Sequence, residues 1–81
     1  MKDSTRPPGA LLMWTIYDHP SDQPNVFLAR LYEIDINGTR PTAECMASES
    51  LEALRVVMQK MGLTCLGRAE GDDPVIVETW V

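Results

Sequence analysis

The only histidine of the chain, His19, sits between two aspartates in Tyr17-Asp18-His19-Pro20-Ser21-Asp22. Imidazole titrates near neutrality, and a neighbouring carboxylate can fix its tautomer. The group could therefore act as a general base or supply one metal ligand. Arg30 could clamp an anion with its planar guanidinium if the fold brings it to this loop. Tyr17, Asp18, His19, Asp22 and Arg30 are thus the candidate binding residues. None is assigned a catalytic role, and the expectation is that the chain is not an enzyme. A zinc site needs three or four ligands, and no second histidine exists to contribute. No metal and no cofactor is expected. The plainer reading of the same residues is a stiff surface loop, with Asp18 and Asp22 in Asx-turns and Pro20 and Pro24 restricting the backbone.

Other chemistry-bearing residues give less. Glu70-Gly71-Asp72-Asp73 is acidic, but it lacks the alternating ligands and closing glutamate of a calcium loop. It reads as a solvated turn. Cys45 and Cys65 are far apart and form no C-x-x-C pair, so they are expected to be free, buried and inert. No phosphate-binding glycine loop, dinucleotide fingerprint or nucleophile elbow occurs.

The elements that must position these residues are mostly strands. Residues 1–10 read as a flexible tail, and residues 11–81 as a single domain. The segment 12–17 is rich in aromatic and β-branched residues and predicts a first strand. Residues 26–36 predict a second. There Tyr32, Ile34 and Ile36 share one face, while Phe27, Ala29 and Leu31 hold the opposite parity. Either both faces are partly covered or a bulge near Arg30 switches them. Asn37-Gly38 predicts a turn, because both residues tolerate positive φ. A third extended segment is expected at about 42–46.

A helix follows. Ser48 is the expected N-cap, with Glu49 and Glu52 near the positive end of the dipole. Leu51, Leu54, Met58 and Met61 form an apolar stripe that Val57 widens. Gly62 ends the helix. Residues 63–66 and 75–81 predict two further strands. The fold class is therefore α+β: a small antiparallel sheet of four to five strands, β-β-(β)-α-β-β, packed by one amphipathic helix.

One helix covers one sheet face. The five aromatic residues, Trp14, Tyr17, Phe27, Tyr32 and Trp80, all fall on predicted strands. A single short helix cannot cover all of them, so an exposed aromatic face would mark a contact surface. The charge is −5, from twelve acidic and seven scattered basic residues. That balance speaks against nucleic acid and against anionic membranes as partners. The longest apolar run near the start, residues 10–14, is shorter than a signal sequence requires, and cytoplasmic location is expected.

The strings Trp14-Thr15-Ile16-Tyr17-Asp18-His19-Pro20, Phe27-x-Ala29-Arg30 with Glu33-Ile34, and Asp73-Pro74-Val75-Ile76-Val77-Glu78-Thr79-Trp80 resemble a group of short, uncharacterised bacterial proteins. The resemblance spans residues 13–81 and implies a bacterial, cytoplasmic, stand-alone domain. It transfers no activity.

The leading functional expectation is a protein-interaction module that homodimerises through its sheet, with strand 75–81 at an edge pairing with its twin. One alternative is binding of a small anion, or catalysis, at the Tyr17–Asp22 loop with Arg30. Another is an acidic inhibitor or antitoxin-like partner of a basic protein.

Overall fold

A computed structural model describes residues 11–68 and 71–81. The expected tail at residues 1–10 and Glu70 of the acidic cluster lie outside the described residues. The chain runs β1 (Leu11–Asp18), β2 (Phe27–Asp35), β3 (Gly38–Ser48), α1 (Leu51–Lys60), β4 (Cys65–Gly67) and β5 (Ile76–Trp80). The strands form one five-stranded sheet in the order β3-β2-β1-β5-β4, and every neighbouring pair is antiparallel. The fold is α+β, one helix on a small antiparallel sheet.

The topology explains where the helix lies. β3 and β4 are the two edges of the sheet. The chain between them must cross four inter-strand spacings, about 19 Å. The ten residues of α1 span about 15 Å of that path, so the helix lies across one sheet face. Trp14 and Ile16 of β1, Ala29 and Leu31 of β2, Leu54 and Met58 of α1, and Trp80 of β5 form the core on that side. The final strand, expected at an edge, is instead interior, between β1 and β4. Its β-branched residues suit an interior position, and the edges go to the bulged β3 and the three-residue β4.

The helix begins two residues later than expected. Ser50, not Ser48, is the N-cap, and its hydroxyl accepts from the Ala53 N–H at 3.2 Å. Ser48 ends β3 and its hydroxyl accepts from the Ser50 N–H. At the other end Gly62, at φ +78°, allows Leu63 N–H to reach Met58 C=O and Gly62 N–H to reach Gln59 C=O. These are the two bonds of a Schellman stop. Leu63 then packs on the core, while Met61, expected in the stripe, is 45% exposed.

The parity question in β2 resolves without a switch. Its register with β1 is continuous from Phe27 to Ile34. Phe27, Ala29 and Leu31 face the helix, and Leu28, Arg30, Tyr32 and Ile34 face away. The irregularity lies in the partner strand. Between Arg30↔Cys45 and Tyr32↔Pro41, β3 carries two extra residues. Thr42 repairs the gap by donating its hydroxyl to the Leu31 carbonyl at 3.0 Å. β3 is therefore longer than expected and starts at the turn. Of the Asn37-Gly38 pair only Gly38 takes positive φ, at +121°. Ile36, expected beside Tyr32 and Ile34, sits at the turn tip, fully exposed.

The cysteines are free, as expected, but exposed rather than buried. They occupy opposite edge strands, so they lie about four strand spacings apart, beyond disulfide reach.

Candidate functional site

The sheet face turned away from α1 holds a hollow of about 450 Å³. Its floor comes from β1, where Met13 and Thr15 alternate with the helix-facing Leu12, Trp14 and Ile16. β5 adds Thr79 and Ile76, and β4 adds Leu66. Ile76 reaches this face because of a bulge. The register steps from Ile16↔Glu78 to Tyr17↔Ile76, leaving Val77 as the extra residue. The bulge aims Val77 at the core and Ile76 at the hollow.

Tyr17 and Tyr32 line the hollow and share a hydrogen bond between hydroxyls at 2.5 Å. Their backbone positions are four residues apart along the strands, since Tyr17 pairs with Leu28 and Tyr32 with Met13. That offset is about 13 Å, so both rings must lie along the sheet for the hydroxyls to meet. They converge over the Thr15↔Arg30 pair. Burial first, and then the Tyr32 hydroxyl, push the Tyr17 phenol well above its ordinary range. The Tyr17 phenol is therefore neutral in the physiological range. One bond between two hydroxyls uses one proton and leaves the other free to donate. Among the described residues neither hydroxyl has another partner.

Arg30 stands on the same face, half-buried, and its charge acts on the Tyr17 phenol. Among the described residues no carboxylate lies within ion-pair distance of it. The other arginines near carboxylates are engaged. Arg40 grips Asp35 through two nitrogens at 3.1 and 2.8 Å. Arg55 grips Glu78 at 3.0 and 2.8 Å.

The five candidate residues thus divide. Tyr17 and Arg30 share the open face. Asp18 and His19 lie at the end of β1, where the His19 Nδ1 meets the Asp18 carboxylate at 2.5 Å. The His19 ring packs edge-on against Phe27, with centroids 4.8 Å apart, on the helix side of the sheet. His19 adopts φ +49°, and its N–H closes the loop onto the Val26 carbonyl. Asp22 is exposed in the loop. The sheet therefore separates the Tyr17–Arg30 pair from the Asp18–His19 pair.

The acidic turn has a structural task. The Asp73 carboxylate accepts from the Val75 N–H at 3.0 Å and shapes the entry to β5. Among the described residues no three His, Cys, Asp or Glu side chains converge to hold a metal. No described helix is long and apolar enough to cross a membrane.

Sequence reasoning missed Tyr32 as a site residue, along with Met13, Thr15 and Ile76. Alternation along β1 and β2 signals the first three. The Val77 bulge that places Ile76 has no signature in the residues around it. Compared with known proteins, the chain matches no family model, no curated protein and no solved structure.

Proposed function

We propose that this chain is a small binding module, not an enzyme, and that its working surface is the sheet face opposite α1. The observation that carries the reading is the 450 Å³ hollow on that face. Its size falls in the range of small-ligand sites, and its lining is apolar with a few polar groups. Met13, Leu66 and Ile76 supply the apolar wall, and the two tyrosines and three threonines, Thr15, Thr39 and Thr79, supply hydrogen-bonding groups. The occupant is a small organic molecule, which makes the anion-binding alternative the favoured one. Its centre moves from the loop to the sheet face.

Homodimerisation through the sheet is the second reading. Leu11 and Leu66, 67% and 63% exposed, favour it. Shape speaks against it: two identical hollows face to face would enclose a void, and protein interfaces do not tolerate large voids. Sedimentation velocity at micromolar concentration, with and without a fluorescent hydrophobic probe, separates the readings. The expected result is a monomer that takes up the probe, with the signal lost on Met13→Lys. A stable dimer that excludes the probe would transfer the assignment to the dimer.

A further inference from the structure

We infer that the hollow takes an organic anion, a carboxylate carried on an apolar body, with Arg30 and the Tyr17–Tyr32 hydroxyl pair holding the charged end. The inference rests on the reading of the hollow as a binding site and names its ligand class.

The argument is one of unmatched donors. Arg30 brings five N–H donors to the face, and the tyrosine pair brings one spare O–H. Arg30 stands beside the hollow rather than in its lining, on the sheet face of Thr15 and close enough for its charge to act on the Tyr17 phenol, and among the described residues no acceptor is supplied to it or to the spare hydroxyl. A guanidinium beside a phenol donor matches a carboxylate, which accepts two parallel bonds from the arginine and a third from the hydroxyl. The chain as a whole carries −5, and the charge of Asp73 also acts on the Tyr17 phenol, yet Arg30 has no ion-pair partner among the described residues, so a cation without one on this face is a local exception. The Tyr17 phenol resists ionisation and so keeps its proton beside an incoming anion.

Polarity across the hollow sets the ligand's direction. Asp72 lies at the rim on the far side, next to Leu66 and Gly67. Arg30 lies on the β2 side, opposite Thr15. A carboxylate belongs at the Arg30 end, and the apolar body then runs over Thr15 toward Thr79 and Leu66, with Met13 and Ile76 on either side. A ligand with a cationic head would prefer the reverse orientation.

The test uses three probes that differ only at the head: 2-naphthoate, 2-naphthylmethanol and 2-naphthylmethylamine. Each is titrated into the ¹⁵N-labelled full chain, and amide shifts report affinity and place. Naphthoate is expected to bind at least about tenfold more tightly than the alcohol, with shifts on β1, β2 and β5. Arg30→Met should bring the two within about twofold of each other, while Arg30→Lys keeps part of the preference. Tyr17→Phe and Tyr32→Phe should each weaken naphthoate several-fold and leave the alcohol unchanged. The dispersion of the variant spectra shows that they remain folded. Equal affinity for naphthoate and alcohol in the parent chain, or a preference that survives Arg30→Met, overturns the anion assignment while leaving the hollow as a binding site. Tighter binding of the amine overturns the charge of the ligand. If none of the three probes shifts the face, the hollow itself is not a ligand site.

Discussion

Glu78 is the residue on which the core most depends electrostatically. Its side chain is 7% exposed, and its carboxylate accepts from Arg55 Nε and Nη2 and from the Trp80 indole N–H at 2.8 Å. These donors hold its pKa below the ordinary carboxylate range, with Arg55 the largest cause. Arg55 is itself one-third exposed and also pairs with Glu52, so solvent screens part of the attraction. Glu78→Gln is expected to destabilise the fold by about 2 kcal/mol, less than for a fully buried pair. Urea unfolding at neutral pH measures it. The pH dependence follows from the sign of the shift. A carboxylate with a depressed folded pKa contributes stability above its unfolded pKa of about 4.3 and loses it as pH falls toward the folded value. The parent chain should weaken below about pH 4.5, and Glu78→Gln should lose part of that slope. An unchanged slope in the variant would assign the acid sensitivity to other carboxylates such as Asp35, which Arg40 also holds low. Glu78 was hard to single out in advance, because a carboxylate within a β-branched run reads as a solvent-facing residue. Its burial depends on Arg55, twenty-three residues away.

The elements differ in how plainly the sequence announces them. The helix is legible because its signals are local: the apolar spacing of Leu51, Leu54 and Met58 and the glycine stop at Gly62. Its cap was expected at Ser48 but is Ser50; both are serines, so residue type does not separate them and the backbone decides. Ser50 is extended, at φ −111° and ψ 120°, while Ser48 still pairs with Phe27 in the sheet. Ser50→Ala is expected to cost about 1 kcal/mol. Equal losses for Ser50→Ala and Ser48→Ala in chemical denaturation would contradict that assignment. The bulges were not legible. The two-residue bulge in β3 and the Val77 bulge in β5 are seen only as breaks in the pairing with β2 and β1. A break in register is defined by two strands together, so the bulged residues alone do not announce it.

At the scale of the whole molecule, the last strand closes the fold. β5 lies between β1 and β4, supplies Trp80 to the core and Ile76 and Thr79 to the hollow, and pairs Thr15 with Thr79. A chain ending at Pro74 should therefore lose cooperative unfolding altogether, since β1 would be left with an open edge over half the core. Persistence of a sharp thermal transition in that truncation would show that the first three strands and α1 fold without it. The sequence by itself determined the α+β class, a sheet of four to five strands and the helix, while the division of the aromatics between the two faces needed the register of the structure. Trp14, Phe27 and Trp80 face the helix, while Tyr17 and Tyr32 keep their hydroxyls on the open side. The class and the helix follow from local periodicity, whereas the faces of the aromatics follow from the unbroken β1–β2 register. Strand order, the interior place of β5, and the separation of Arg30 and Tyr17 from Asp18 and His19 were decided only by the tertiary structure. Strand pairing joins residues that are distant in the chain, and alternation sends adjacent residues to opposite faces of the sheet. Neighbours such as Tyr17 and Asp18 can therefore share a motif and not a site.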